Sequence, residues 1–399
     1  MKQFDLIIAG GGLAAARAVK AYREAGGEGS VALLSQEPTL PYHRPPLSKA
    51  FLRGESDGEA LVEQETFYSD HDVEVLLGTT VTAVRPGERT VDAGTERYRY
   101  GQLLVATGSR PRRLDVPGAD LDGVFTLRTG EDARALRAAA SEARDAVVVG
   151  GGFIGLEVAS SLRQRGIETT LVHRDPALFR LLAAPELERE LTALVQANGV
   201  ALVLGDEVEE FGGSGGRVDS VVTKAGRTLA TDLVVVGVGV DPVLDFLAGS
   251  GIAIDNGIVV DERFETSIPG VFAAGDVANF PDPLYGRRRR IEHWSHASYT
   301  GSIVGQTLAG ADASYSTVSS FFTQAFGLTL KVLGDHTGSD ELVTRGSLRD
   351  GQLLGKYLAD GRLVAAVLVG QTDETEARLK DLIAERAVVD PSFELSAAR

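Results

Sequence analysis

Two short stretches constrain this chain more than any others. Leu6-Ile7-Ile8-Ala9-Gly10-Gly11-Gly12-Leu13-Ala14-Ala15 lies near the start, and Val147-Val148-Val149-Gly150-Gly151-Gly152-Phe153-Ile154-Gly155-Leu156-Glu157 repeats its pattern in the middle. Each is an apolar run closing in G-x-G-x-x-A or G-x-G-x-x-G and followed by residues of helical composition, the pattern of strand, tight turn and helix. The first glycine permits the turn, the second lets backbone approach a pyrophosphate, and the third small residue lets helix pack closely on strand. The helix N-terminus then offers free N–H groups to phosphates. A chain with two such starts is expected to hold two dinucleotides.

At 399 residues the chain exceeds the size at which one core keeps growing, so several domains are expected. Residues 4–9, 14–25 and 30–34 read as strand, helix and strand, a βαβ unit. A second internal similarity sets Leu103-Leu104-Val105-Ala106-Thr107-Gly108-Ser109-Arg110-Pro111 against Val234-Val235-Val236-Gly237-Val238-Gly239-Val240-Asp241-Pro242. Both are apolar strands ending in a small-residue turn and a proline, where a chain leaves one domain for the next. The expected fold class is therefore α/β, with two interleaved Rossmann-like dinucleotide-binding domains and a C-terminal α+β domain. Residues 1–111 and 243–319 form the first, 112–242 the second and 320–399 the third. In the third, Leu353 to Leu358 and Leu363 to Val369, joined by Asp360-Gly361, predict a hairpin. Asp373 and Glu376 stand at capping-box spacing before Leu379, Leu382 and Ile383 and predict a helix.

Forty basic against fifty-six acidic residues give a net charge of -16, which disfavours nucleic acid or an anionic membrane as general partner. Apolar runs such as Leu233 to Val240 are far shorter than the roughly 20 residues of a membrane span. Met1-Lys2-Gln3-Phe4-Asp5 runs directly into the first strand, so no signal peptide and a cytoplasmic location are expected. The absence of cysteine excludes disulfides, thiolate metal ligands and a redox-active dithiol.

After the second strand comes Pro41-Tyr42-His43-Arg44-Pro45-Pro46-Leu47-Ser48-Lys49, whose three prolines predict an extended, rigid path. Together with Ala106-Thr107-Gly108, the run Gly150 to Glu157 and Ala274-Gly275-Asp276, in this order and spacing, it resembles the FAD-dependent ferredoxin reductases of oxygenase systems. These include the putidaredoxin, rubredoxin and biphenyl dioxygenase reductases. The similarity covers nearly the whole chain, and it implies a glutathione-reductase-like architecture.

The resemblance places FAD in the first domain. Gly10, Gly12 and Ala15, with Leu13 and Ala14 between them, hold its pyrophosphate, and Arg44 and Lys49 lie along phosphate and flavin. Val81 and Arg128 sit beside the adenosine half, Ala106, Thr107 and Gly108 close the first unit, and Gly275 and Asp276 meet the ribityl chain. Glu292, His293 and Trp294 lie at the isoalloxazine. Gly150, Gly152, Phe153, Ile154 and Gly155, with Gly237, Val238 and Gly239, hold the nicotinamide cofactor. Lys49 and Glu157 pair near the hydride-transfer position as the catalytic residues. No metal is implied.

Four departures from the family pattern carry information. Gln36 stands where a ribose-binding carboxylate is expected, with Glu37 next to it as a substitute. His173-Arg174 replaces the acidic residue of NADH users; arginine accommodates a 2′-phosphate, so NADPH is the expected donor and NADH the alternative. Arg174 is the main determinant, with His173 and Arg180 assisting. Ser320-Phe321-Phe322-Thr323-Gln324 replaces a tryptophan-rich segment that meets the iron–sulfur partner in relatives. Finally, Arg287-Arg288-Arg289-Arg290, in an acidic protein, reads as a loop that steers an acidic ferredoxin to a surface including Phe322. The expected reaction is hydride transfer from NADPH to FAD, then single-electron transfer to a ferredoxin-like iron–sulfur protein. An NAD(P)H oxidase or quinone reductase, and an interaction or redox-sensing flavoprotein similar to apoptosis-inducing factor, are the competing readings.

Overall fold

The computed structural model describes residues 1–389 as two compact units. The first is assembled from Met1–His43, Glu59–Arg110 and Asp241–Thr317; the second from Arg44–Gly58, Pro111–Val240 and the chain from Val318 onward.

In the first unit the strands Val73–Leu76, Val31–Leu34, Lys2–Ala9 and Glu96–Val105 lie side by side in parallel. Val271–Ala273 joins the far side of Glu96–Val105, also in parallel, and two antiparallel strands, Thr90–Ala93 and Val81–Arg85, complete the sheet. Ile7, Ile8, Leu33, Leu103 and Leu104 are wholly buried, as expected of parallel strands covered on both faces. One cover is the helix Leu13–Glu24, which packs on the helix Trp294–Leu308 with backbones nearly touching. A Cβ at Gly301 or Gly305 would fall 2.3 Å from the carbonyl oxygens of Ala14 and Ala18 respectively, so only glycine fits there. The alanine-rich face of the first helix supplies the matching shallow surface.

In the second unit Val200–Leu204, Glu168–His173, Asp145–Val149, Leu233–Val236 and Val124–Phe125 form a wholly parallel sheet in that order. A separate antiparallel sheet begins at Ser320–Ala325 and ends with the hairpin Gln352–Ala359 to Arg362–Val369. Asp360 (φ 50°) and Gly361 (φ 71°) both adopt the left-handed region that a two-residue hairpin turn needs. The following helix, Asp373–Ala384, buries Leu379, Leu382 and Ile383. It is capped by Thr372, whose hydroxyl accepts from the Thr375 amide, and not by Asp373. Glu376 instead pairs with Lys331 at 2.6 Å and Lys380 at 2.7 Å.

The proline-rich segment also differs from its expected extended path. Pro45–Ser48 forms a 3-10 turn and Ala50–Arg53 a short helix, since proline is well suited to the first turn of a helix. It is fastened to the second dinucleotide fold by Ser161 Oγ on the Ser48 carbonyl (2.7 Å) and Arg165 Nη1 on the Leu52 carbonyl (2.8 Å). Among the described residues no helix is long and apolar enough to cross a membrane.

Candidate functional site

The two glycine-rich turns share one geometry. Gly10 has φ +128°, and a Cβ there would lie 2.2 Å from the Ala106 carbonyl oxygen; Gly150 has φ +112° with the Gly237 carbonyl at 2.3 Å. The turns Ala106–Gly108 and Gly237–Gly239 are thus the floor against which each first glycine is pressed. Gly12 and Gly152 begin their helices in extended conformation with no side-chain cap, and a Cβ on either meets nothing within 4 Å. Each helix start is open on that side, as a pyrophosphate requires. A Cβ at Gly155 would fall 1.9 Å from the Gly150 carbonyl. The first turn accepts the buried Ala15 in the equivalent place. Leu13 and Ala14 are buried, Phe153 is half-buried, and Ile154 is exposed.

Elsewhere in the first unit, Gln36 is exposed and the half-buried Glu37 accepts from the Tyr42 hydroxyl. Val81 is half-buried at the start of its strand. Thr107 Oγ1 donates to the Val243 carbonyl at 3.0 Å, and the Gly275 amide to Thr300 Oγ1 at 3.0 Å. Asp276 is buried and accepts from Ser109 Oγ at 2.9 Å. Trp294 is 39% exposed, and its indole N–H donates to His43 Nδ1 at 3.0 Å. Burial, aided by the Arg17 cation, lowers the His43 pKa and so keeps that nitrogen an acceptor. Burial likewise pushes His293 down to about 4 and His296 down to about 3, the nearby Asp276 carboxylate opposing it in both. His296 stacks on Phe280 with ring centres 5.1 Å apart, and neither ring nitrogen has a hydrogen-bond partner among the described residues.

The arginine run is not the free loop expected. Arg287–Arg289 forms a strand beside Ala278–Asp282. Arg288 Nη1 donates to the Val260 and Asn279 carbonyls, both at 2.8 Å. Arg289 pairs at 2.7 Å with the buried Asp282 and lies over the Tyr285 ring. Arg290 pairs with Glu292 and donates to the Asp276 carbonyl. Arg287 and Arg288 are the exposed residues of the run.

The second unit contains a buried ion pair between Lys49 and Glu157. Glu157, on the helix Phe153–Gln164, is 4% exposed, and four donors surround its carboxylate. Lys49 Nζ (2.6 Å) and Ser48 Oγ (2.5 Å) meet Oε2, while Thr323 Oγ1 (2.8 Å) and the Gln324 amide (3.3 Å) meet Oε1. Lys49, 8% exposed, completes its own shell on the Pro45 carbonyl at 2.9 Å and on Ser48 Oγ at 3.4 Å. The pairing of Lys49 with Glu157 follows the sequence reading; the contributions of Ser48 and Thr323 do not. Ser48 could have been suspected from its place beside Lys49. Nothing in the sequence points to Thr323, which lies 166 positions from Glu157. Arg44 Nη1 donates to the Arg128 carbonyl at 2.6 Å, which brings those two predicted residues together. Arg174 and Arg180 are exposed, Arg180 opening the 3-10 turn Arg180–Leu182. His173 Nδ1 accepts from the Gly151 amide at 3.1 Å, and Nε2 lies 3.5 Å from Asp175. Burial and the neighbouring Arg174 lower its pKa against the pull of Asp175, so His173 acts as a neutral brace of the glycine turn.

Paired dinucleotide folds define an oxidoreductase framework, and comparison with known proteins agrees. Residues 4–301 match the family described as pyridine nucleotide-disulphide oxidoreductase, and residues 320–396 match the reductase C-terminal family. The ferredoxin reductase subunit of 5,5′-dehydrodivanillate O-demethylase from Sphingobium sp. is 36% identical over 98% of this chain and 94% of its own length. The ferredoxin reductase for the CYP199A2 system of Rhodopseudomonas palustris superposes with a TM-score of 0.93 at 31% identity, covering 98% of this chain and 96% of that one. The covalent putidaredoxin reductase–putidaredoxin complex gives 0.93 at 31% identity, covering 98% and 94%. The chain belongs to the pyridine nucleotide-disulphide oxidoreductase family and, within it, to the ferredoxin reductases.

Proposed function

We propose that this protein is an FAD-dependent NADPH:ferredoxin reductase of the cytoplasm. The observation that carries the reading is the pair of open, uncapped helix starts at Gly12 and Gly152, one for each dinucleotide. When bound, the two dinucleotides supply hydride donation and conversion of an electron pair into single electrons. FAD is assigned to the domain formed by residues 1–111 and 243–319, with its pyrophosphate at Gly10, Gly12 and Ala15 and its ribityl chain at Asp276. Trp294 provides an aromatic wall. The nicotinamide dinucleotide is assigned to residues 112–242, at Gly150, Gly152 and Gly155, with Arg174 and Arg180 toward a 2′-phosphate. A third, C-terminal domain is assigned from residue 320 onward. Lys49 and Glu157 hold a fixed, buried charge pair for the hydride step; neither is needed as a proton donor there. Because the chain has no cysteine, electrons leave without a dithiol relay.

Anaerobic reduction of the purified protein by NADPH, followed by challenge with ferredoxins, tests the reading. The expected result is flavin bleaching by NADPH with a higher kcat/KM than by NADH, and reoxidation by a ferredoxin. Reoxidation by quinone but by no ferredoxin overturns the proposed acceptor, and a clear NADH preference overturns the proposed donor.

A further inference from the structure

The segment from Arg174 to Ala184 follows the strand Glu168–His173 and carries two exposed arginines, Arg174 and Arg180. Its backbone is held in an unfavourable shape. Phe179 (φ 56°) and Ala183 (φ 48°) both lie in the left-handed region, where a side chain is disfavoured, and they bracket the 3-10 turn Arg180–Leu182. Such a conformation persists only where its surroundings enforce it.

Those surroundings come largely from the C-terminal sheet. The amides of Leu182 and Ala183 close the turn on the Phe179 and Arg180 carbonyls, which leaves the Leu181 and Leu182 carbonyls without partners inside it. Tyr357 Oη donates to the Leu182 carbonyl at 2.6 Å, and His336 Nε2 lies 2.6 Å from the Leu181 carbonyl, a distance that requires the proton on Nε2. The two rings are neighbours, 5.0 Å between centres. An aromatic chain makes a third link: Phe179 meets Phe153 edge-on at 5.1 Å, and Phe153 meets Phe321 edge-on at 4.8 Å. Phe153 is the residue that follows Gly152 in the dinucleotide turn. Leu178, Phe179, Leu182 and Ala184 are buried beneath the segment, while the side chains of Arg174 and Arg180 stay outside.

We propose that His336 and Tyr357 are positioning residues for coenzyme specificity. By holding two consecutive carbonyls they fix the turn that aims Arg180, so that the C-terminal sheet sets affinity for the 2′-phosphate of the donor. The inference rests on the NADPH reading. An arginine on a braced turn loses less conformational freedom on meeting a phosphate than one on a loose loop, so the brace acts on affinity and not on the hydride step.

The test uses the full-length, FAD-loaded protein, with calorimetric titration of adenosine 2′,5′-bisphosphate and of 5′-AMP. Wild type is expected to bind the 2′-phosphorylated ligand more tightly. Combining Tyr357→Phe with His336→Ala lowers that affinity about tenfold and leaves 5′-AMP binding within about twofold, the loss expected when preorganisation of a single contact is removed. KM for NADPH rises with kcat unchanged, and His336→Gln, which keeps an N–H donor, restores most of the affinity. Equal losses for both ligands, or no loss in either, overturn the positioning role while the NADPH reading stands. A wild type indifferent to the 2′-phosphate overturns both.

Discussion

Removing both members of the Lys49–Glu157 pair should cost clearly less than the two single removals added together. At 2.6 Å and an effective dielectric of about 20 the attraction amounts to about 6 kcal/mol. Desolvating two ions costs several kcal/mol each, so most of that attraction is offset, and the pair as a whole is worth little against an apolar replacement. A single deletion behaves differently. Glu157→Ala strands a buried ammonium, and Lys49→Met leaves a buried carboxylate with only Ser48, Thr323 and the Gln324 amide. Each single variant is expected to lose about 3–5 kcal/mol. The double variant should lose less than the sum by about 1–3 kcal/mol, the range found for directly contacting residues. Urea unfolding of the FAD-loaded protein, followed by far-ultraviolet circular dichroism, gives all corners of the cycle. Additive losses in the double variant would show that Lys49 and Glu157 do not depend on one another, and the electrostatic argument would fail. Stopped-flow flavin reduction on the same proteins then separates stability from the hydride step.

The arginine run yields a contrast within one strand. Arg287→Gln should weaken ferredoxin reduction at low salt and leave ferricyanide reduction unchanged, whereas Arg289→Gln, by removing this cation from the buried Asp282 charge, should cost about 3 kcal/mol of stability. Equal effects of Arg287→Gln on both acceptors would remove the docking role. His296 predicts an acid limit to stability. Its folded-state pKa of about 3 lies below its ordinary value of 6.5, so between these the unfolded chain binds the extra proton, and stability falls as pH falls below 6.5. From pH 7.5 to 5 wild type should lose about 2 kcal/mol more than His296→Phe; parallel losses in the two proteins would show that His296 titrates normally.

The features legible in the sequence are those set by local backbone geometry. Gly10, Gly12, Gly150 and Gly152 announce their turns because close carbonyls or open helix starts demand glycine. Asp360-Gly361 announces its hairpin because both residues accept left-handed backbone. What escaped reading is set by tertiary partners. The run Arg287 to Arg290 looks like a solvated charge cluster until the Val260 and Asn279 carbonyls and Asp282 are seen beside it. His173 reads as an assistant to Arg174, and its Nδ1 contact with the Gly151 amide is a bond that only the folded chain reveals. The helix at Asp373 was expected, yet its cap fell one residue earlier, because Thr372 and Asp373 offer equally plausible oxygens and only backbone direction chooses between them.

The discontinuous first unit has a consequence for biosynthesis. The strand Glu96–Val105 borders Val271–Ala273 in the finished sheet, but 166 positions separate Val105 from Val271. At about 5–20 residues per second, a ribosome takes about 8–33 s to cross that gap. Throughout that interval the nascent sheet presents the Leu103-Leu104-Val105 edge without its final neighbour, an invitation to pair with another chain. Expression yield in crowded, fast-translating hosts should therefore depend on whatever shields this edge until Phe272 arrives.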